Sequence, residues 1–265
     1  MKTKTTDPKT LLRDRCLSDF TTLRIPVKPE ALDELLTRAE RENLPYLGFL
    51  HLLLGAEAGA RRERAVERRI REARFADNRT LEGFDWNFNP KTFDRLQIEE
   101  LATGDFIRRH TNLLMVGWSG IGKSHIIQAL GQRACVNGYR VLYQTSAQLL
   151  ADLTASLADK TLPTRLRRYT KPDFLIVDGF GFDKIERSEC PEAAHLLYKV
   201  IDSRTQKSST ALVTNVDFEK WSDYLSDGPL AMALLDRLVR GAIIMKLKGK
   251  SYSAEKTKAL ENHSA

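Results

Sequence analysis

The sequence is poor in cysteine and histidine, and this shortage argues against several kinds of site. Its three cysteines lie far apart and lack the paired spacing of a zinc site or a disulfide framework. Its five histidines are isolated, so a metal cluster built from imidazoles is not expected. A chain without disulfides suits a reducing compartment, and we therefore expect a cytoplasmic location.

Long apolar runs, internal repeats and low-complexity tracts are missing as well. No stretch approaches the ~20 apolar residues that span a bilayer, so we expect no association with membranes. The 265 residues suffice for one sizeable core with a small appendage. A net charge of +7 favours a polyanionic partner such as nucleic acid, with a generic basic surface as the alternative.

The strongest chemical signal is a glycine-rich segment, residues 117–124, which reads Gly-Trp-Ser-Gly-Ile-Gly-Lys-Ser. The apolar run 113–116 precedes it, and apolar residues at helical spacing follow it. A strand, a loop of this kind and a helix N-terminus surround a triphosphate with backbone N–H groups. We therefore predict a nucleotide site formed by Gly117, Ser119, Gly120, Ile121, Gly122, Lys123, Ser124 and His125.

Further polar residues complete this predicted site. Lys123 would reach the β- and γ-phosphates of ATP, and the Ser124 hydroxyl would bind Mg²⁺. Asp178 ends the apolar run 175–177 and would hold the same ion. Asn215 ends another apolar run and either orients the attacking water or simply forms a turn. Arg237 is either a helix-surface residue or reaches the γ-phosphate of a neighbouring subunit.

Apolar strands and helices alternate from residue 112 onward. The pattern predicts strands at 113–116, 140–144, 174–178, 211–214 and 242–247. A capping box of Thr145 and Gln148 opens one helix, and Pro191 opens another. Such alternation indicates an α/β fold with a parallel sheet flanked by helices.

The first part of the chain has a different pattern. Residues 1–20 are polar and basic, and the beginning of this tail is predicted to be disordered. Two apolar stripes at helical spacing follow between residues 29 and 57, separated by a turn at 43–45. We assign 1–75 to a helical N-terminal domain that binds DNA or a partner, 76–110 to a linker and strap, and 111–265 to the nucleotide-binding core.

Two basic clusters are candidates for contact with DNA phosphates. The candidate residues are Arg61, Arg64, Arg68, Arg71, Lys160, Arg165, Arg167 and Arg168. A solvated helix and a solvated loop are the alternatives. Neither cluster contains a base-reading motif, so binding to double-stranded DNA would be largely independent of sequence. The aromatic residues between 84 and 93 either stack on bases or, as we prefer, strap the linker onto the core.

Four motifs in this order resemble the IstB-like transposition helper ATPases of the AAA+ class, which are related to the DnaC-type helicase loaders. They are the glycine-rich segment with His125, Val-Asp-Gly-Phe-Gly-Phe at 177–182, Thr-Asn-Val-Asp-Phe at 214–218 and Gly-Lys-Ser-Tyr at 249–252. The resemblance covers nearly the whole chain. It implies an AAA+ P-loop core with a five-stranded parallel sheet of order 5-1-4-3-2, a helical N-terminal domain and a reduced or absent lid.

The same resemblance implies a function. ATP and Mg²⁺ would be the cofactors, and a homo-oligomer assembled on DNA would stimulate a cognate transposase. Asn215 looks like the sensor asparagine of this class, and Arg237 looks like an arginine finger acting in trans. The alternatives are a replicative helicase loader and a nucleotide-gated DNA-binding scaffold with little ATPase activity.

Three positions depart from the pattern of the family, and the first is Trp118, which stands in the loop where a small or polar residue, or proline, is common. Gly179 stands where such ATPases usually carry a second acid that polarises water, so hydrolysis is expected to be slow unless Asp183 or Glu186 substitutes. Ser253 stands where an arginine or similar base usually follows the Gly-Lys-Ser-Tyr motif.

Overall fold

A computed structural model describes residues 8–181, 192–225, 227–252 and 254–255. The chain divides into two compact units, Met1–Glu67 and Arg68–Ala265. No helix among the described residues has both the length and the apolar character that a bilayer-spanning segment requires.

The first unit is helical. Helix α1 spans Pro8–Thr22 and α2 spans Pro29–Arg41, whereas α3, Tyr46–Ala73, begins in the first unit and ends in the second. The predicted turn at 43–45 is confirmed, since Asn43 lies in the left-handed region at φ 50° between α2 and α3. Most of the tail at 1–20 proves helical from Pro8 onward, and residues 1–7 lie outside the described part of the chain.

The second unit alternates strands and helices, as the apolar pattern predicts. Two helices precede the sheet, α4 at Arg95–Ala102 and α5 at Asp105–Arg108. The sheet and its connections then follow as β1 Leu113–Gly117, α6 Lys123–Val136, β2 Val141–Thr145, α7 Ser146–Ala158, α8 Leu162–Thr170, β3 Phe174–Phe180, α9 Ala193–Arg204, β4 Ser209–Thr214, a 3₁₀ turn Phe218–Lys220, α10 Trp221–Leu225, α11 Gly228–Val239 and β5 Ile243–Leu247.

The five strands form one sheet in the order β2-β3-β4-β1-β5, and all four pairings are parallel. Read from the other edge, this is the predicted order 5-1-4-3-2, which is therefore confirmed. In such a sheet the residues that follow β1, β3 and β4 meet at one edge, because the carboxyl ends of parallel strands point the same way. The predicted nucleotide and metal ligands, together with Asn215, come from these three strand ends, whereas Arg237 lies on α11.

Apolar side chains cover both faces of the sheet, which explains why its strands read as continuous apolar runs. On one face, Leu113 and Met115 of β1 pack with Ile126 and Leu130 of α6. On the other face, residues of α7, α9 and α11 pack against Leu114 and its neighbours. Because β1 is fixed between two cores, the loop that follows it starts from a rigid position.

Two local predictions can be compared directly with the structure. The capping box is confirmed, since Thr145 Oγ1 accepts from Gln148 N at 3.2 Å and Gln148 Oε1 accepts from Thr145 N at 3.4 Å. The helix expected to open at Pro191 is present from Ala193, while Pro191 itself lies outside the described residues. In addition, the expected linker and strap at 76–110 includes α4 and α5, which bury four side chains in the core, Ile98, Leu101, Phe106 and Ile107.

Candidate nucleotide-binding site

The glycine-rich segment forms the loop between β1 and α6. Gly122 lies at φ 102° just before α6, a left-handed conformation that residues with a Cβ rarely adopt. A Cβ at Gly122 would also lie 2.7 Å from the Phe84 ring. Gly120 lies at φ 76°, and a Cβ there would approach Ser251 Oγ to 2.2 Å. These two glycines allow the loop to turn while other segments pack closely against it.

A cavity of about 730 Å³ opens above this loop. Its lining includes the loop from Ser119 to His125, together with Asp178, Gly179 and Asn215. The structure therefore brings Lys123, Ser124, Asp178 and Asn215 to one place, although they come from three separate strand ends. Gly117 ends β1 at the base of the loop and does not line the cavity.

The Lys123 side chain is buried and folded back onto its own loop. Its Nζ donates to the carbonyl oxygens of Gly117 at 2.7 Å and Trp118 at 2.6 Å. Burial lowers the pKa of this ammonium to about 8, and the nearby Asp178 carboxylate partly opposes that shift. A phosphate in the cavity would add negative charge to that of Asp178 and further stabilise the buried cation.

Asp178 and Ser124 bring oxygen ligands to the cavity from two different elements. Ser124 lies in the first turn of α6 and is exposed, whereas Asp178 is 5% exposed near the end of β3. Within the described ranges, no group of three or more histidine, cysteine or acidic residues could hold a metal ion. One carboxylate and one hydroxyl nevertheless fit Mg²⁺, which keeps several waters and takes other ligands from substrate phosphates.

Gly179 has a structural role that the sequence did not reveal. It lies at φ 77°, and the pairing of β3 with β4 shifts register between Val177 and Phe180. The chain thus makes a bulge at the position where the family resemblance led us to expect a second acid. The absence of a carboxylate at 179 is therefore coupled to a left-handed backbone. Asp183 and Glu186, the possible substitutes, lie outside the described residues, as does Ser253.

The aromatic strap forms one wall of the cavity. Phe84 lies edge-on to His125 with ring centroids 5.2 Å apart, and it packs against the core together with Trp86. His125 Nε2 lies 2.8 Å from the carbonyl oxygen of Thr80. Phe93 is 4% exposed and belongs to the same core, so three of these aromatics pack as the preferred strap interpretation predicts. Their contact with the nucleotide loop was missed, because aromatic spacing alone does not show which surface a strap covers.

The Gly-Lys-Ser-Tyr motif follows β5 and also packs on the loop. Tyr252 N donates to the Gly120 carbonyl oxygen at 2.8 Å, so the motif touches the nucleotide loop directly. Asn89 of the strap joins the motif through two hydrogen bonds, from its Nδ2 to Lys250 O at 2.8 Å and from Lys250 N to its Oδ1 at 3.1 Å. The strap, the loop and this motif therefore form one continuous junction.

Arg237 does not line this cavity. It lies on α11, where its Nε donates to Asp202 Oδ1 at 3.0 Å and its guanidinium lies 5.4 Å from the Tyr198 ring centroid. These contacts raise the pKa of Arg237, chiefly through the hydrogen bond to Asp202. The structure thus brings together three of the four predicted catalytic side chains and leaves the fourth elsewhere on the surface.

The eight predicted DNA contacts fall into two groups. Arg61 and Arg64 are paired with Glu57, and Arg165 and Arg168 are paired with Asp152. The other four are exposed and form no ion pair within the part of the chain that the structure describes; they are Arg68, Arg71, Lys160 and Arg167. Exposed charges without an acidic partner are better placed to contact a phosphate than charges that already form an ion pair.

Comparison with known proteins now gives the family context. The family model of the IstB-like ATP binding proteins matches residues 18–260. The protein named for ATP binding in insertion sequence IS5376 of Geobacillus stearothermophilus is 34% identical over 230 residues, covering 87% of this chain and 90% of that protein. Its counterpart in insertion sequence IS21 of Pseudomonas aeruginosa is 34% identical over 229 residues, covering 86% of this chain and 84% of that protein.

Solved structures share the fold at lower identity. DnaI superposes with a TM-score of 0.53 at 18% identity, covering 64% of this chain and 91% of that one. AMPPCP-bound DnaA from Aquifex aeolicus superposes with a TM-score of 0.51 at 18% identity, covering 71% of this chain and 57% of that one. At such identities the likeness shows the fold alone, and it is the AAA+ P-loop fold.

Proposed function

The chain belongs to the family of IstB-like ATP binding proteins, and from that premise we propose that it is an ATPase that assembles on double-stranded DNA and stimulates the transposase of an insertion sequence. Its relatives are named for ATP binding and for insertion sequences. The observation that carries the proposal is the cavity in which Lys123, Ser124, Asp178 and Asn215 converge.

In this proposal each side chain of the cavity has a separate role in phosphoryl transfer. Lys123 would leave the carbonyl groups of its loop and bind the β- and γ-phosphates, aided by N–H groups at the start of α6. Ser124 and Asp178 would hold Mg²⁺, which when bound neutralises charge on the phosphates. Asn215 would orient the attacking water. With glycine at 179, no carboxylate from that position polarises this water, so hydrolysis would be slow and ATP-bound assemblies long-lived.

An oligomer is part of the proposal, because Arg237 lies away from the cavity of its own subunit. To act as an arginine finger it would reach the γ-phosphate of a neighbouring subunit, and it would first give up its hydrogen bond to Asp202. Assembly on DNA would bring subunits together. ATP would then be hydrolysed only where two subunits meet.

DNA would be bound through its phosphates. We expect Arg68, Arg71, Lys160 and Arg167 to make direct contacts, because these exposed side chains lack acidic partners among the described residues. The other four candidates would contribute less to DNA binding, because they already form ion pairs with acidic side chains. They are Arg61 and Arg64, which share Glu57, and Arg165 and Arg168, which share Asp152. Such contacts carry no base readout, so binding would be independent of sequence and sensitive to salt.

Under this proposal a transposase would be encoded beside the gene, and the experiment that tests the function adds the purified protein to that transposase. Strand transfer of an insertion-sequence end should rise in the presence of protein, ATP and Mg²⁺, and it should not rise with Lys123→Ala. Strand transfer that is equal with and without the protein would refute the helper function.

A second candidate is a nucleotide-gated DNA-binding scaffold with negligible turnover. The left-handed backbone at Gly179 favours it, because an acid at this position would be strained. Steady-state hydrolysis in the presence of DNA separates the two. Turnover that requires Mg²⁺ and Lys123 supports the ATPase, and its absence despite ATP binding supports the scaffold.

A further inference from the structure

Tyr143 lies behind the nucleotide cavity and does not line it. The side chain is 6% exposed, and its hydroxyl donates to Asp178 Oδ2 at 2.9 Å. The ring packs in the core, with its centroid 6.2 Å from that of Phe75. The hydrogen bond thus connects a side chain of the core to the carboxylate near the end of β3.

The strand register explains how the two side chains meet. Tyr143 of β2 pairs with Ile176 of β3, and Thr145 pairs with Asp178. Residues two apart on a strand share a face, so Tyr143, Ile176 and Asp178 lie on the same face of the sheet. Two residues of strand rise separate Tyr143 from Asp178 along the strand direction, about 6.6 Å, a distance that a tyrosine side chain can span.

This hydrogen bond constrains the carboxylate. Among the described residues, the Tyr143 hydroxyl is the only hydrogen-bond donor to Asp178, and Oδ1 receives none. With one donor among the described residues, this buried carboxylate has one oxygen engaged and the other left for a different ligand. Groups that hydrogen-bond to metal ligands in this way fix ligand orientation and raise metal affinity.

We propose that Tyr143 is a positioning residue for the metal-binding carboxylate: its hydroxyl holds Oδ2 of Asp178 so that Oδ1 stays available to a divalent cation bound with nucleotide. This inference rests on the proposed function, in which Asp178 is a metal ligand. Tyr143 does not touch nucleotide or metal. It acts through Asp178, so its loss affects the cation and leaves metal-free nucleotide binding intact.

The test compares Tyr143→Phe with a matched control. Tyr169 is also buried, and its hydroxyl donates to Asp152 at 2.7 Å away from the cavity. Tyr169→Phe therefore removes a similar tyrosine–aspartate hydrogen bond without touching Asp178. Both variants keep the aromatic ring, so packing is preserved. Thermal unfolding of the two variants shows how much each substitution costs the fold.

Two affinities are measured for the parent and both variants. The affinity of Mn²⁺ for the ADP-bound protein is followed by electron paramagnetic resonance of free Mn²⁺, and the affinity of ADP is measured by calorimetry in EDTA. Tyr143→Phe should weaken Mn²⁺ binding by about tenfold to a hundredfold and leave ADP affinity in EDTA unchanged. Tyr169→Phe should alter neither affinity.

Three results would overturn the inference. The first is Mn²⁺ affinity in Tyr143→Phe equal to that of the parent, which leaves the ATP site itself standing. The second is an equal loss in Tyr169→Phe, which would make the effect one of general stability. The third is a parent protein that binds no Mn²⁺ with ADP, which would refute the metal site and the proposed function together.

Discussion

The ammonium of Lys123 donates to the carbonyl oxygen of Gly117 at 2.7 Å, within the loop that it is expected to serve. The cation therefore makes its hydrogen bonds within the loop, and burial lowers its pKa to about 8. Nucleotide binding would exchange these carbonyl partners for phosphate oxygens. Charged hydrogen bonds to phosphate are stronger than those to neutral carbonyl groups.

A pH dependence follows from this buried cation. Below about pH 8 Lys123 is protonated with or without nucleotide, whereas above it the nucleotide-free protein must take up a proton to bind phosphate. ADP affinity in EDTA should be constant between about pH 7 and pH 8, above the pKa of ~6 of the terminal phosphate, and fall as pH rises further, by at most about tenfold per pH unit. Calorimetry in buffers of different ionisation enthalpy measures the proton uptake. Equal affinity and no proton uptake at pH 9 would contradict the prediction.

The stability of the folded protein should change with pH in the opposite direction to ADP affinity above pH 8. The pKa of Lys123 is lower in the folded protein than its ordinary value of 10.5, so the unfolded chain binds more protons between pH 8 and 10.5. Stability of the nucleotide-free protein therefore gains a contribution from this group as pH rises through that window. Comparison with Lys123→Met, which lacks the ionisable group, isolates the contribution.

Gly179 should resist substitution because of its backbone. At φ 77°, both Gly179→Ala and Gly179→Glu should lower the free energy of unfolding by about 1–2 kcal/mol. Only the glutamate adds a carboxylate, so only Gly179→Glu should raise ATP turnover, by roughly tenfold or more. Denaturant unfolding and steady-state hydrolysis of the two variants check both parts. Full stability in Gly179→Ala would show that the left-handed backbone is not required there.

Arg237 should matter for turnover in the assembly and not for binding. Arg237→Ala should keep ATP affinity while lowering turnover on DNA by about a thousandfold, the size of an arginine-finger effect. Arg240→Ala is the matched control, since Arg240 is an exposed arginine nearby that pairs with Asp236 at 3.2 Å. Light scattering with ATP and duplex DNA follows assembly. A parent that stays monomeric under these conditions would refute a site completed in trans.

The two groups of basic residues should differ in their contribution to DNA binding. Arg68→Gln with Arg71→Gln should weaken binding and reduce the slope of log affinity against log salt by about 1 for each phosphate that the protein no longer touches. The paired arginines serve as the comparison, and Arg165→Gln with Arg168→Gln should change the slope less because both already form ion pairs with Asp152. A strong sequence preference that persists in high salt would contradict binding to phosphates by either group.

The strands of the sheet could be predicted from the sequence because each strand corresponds to a local run of apolar residues. Strands buried on both faces read as apolar runs, so β1 and β3 could be placed to within a residue or two. The nucleotide loop and Asp178 could also be predicted, because the loop has a fixed glycine spacing and the acid follows an apolar strand. Asn215 was predicted to join them, and it lines the same cavity.

The remaining features depend on contacts between distant segments. Tyr143 reaches Asp178 only because β2 and β3 pair in one particular register, and a single sequence does not show register. Arg165 and Arg168 looked like free surface charges because their partner, Asp152, lies one helix earlier. In the sequence, Gly179 indicated only the loss of an acidic residue. The second glycine, at 181, was the available sign that the backbone turns there.

The most direct test of the nucleotide site is ATP binding by the parent and by Lys123→Ala, measured by calorimetry with Mg²⁺ at pH 7. Lys207→Ala, which changes an exposed lysine away from the cavity, is the control. We expect the parent and Lys207→Ala to bind ATP equally and Lys123→Ala to show no binding. ATP affinity in Lys123→Ala equal to that of the parent would contradict the assignment of this cavity as the nucleotide site.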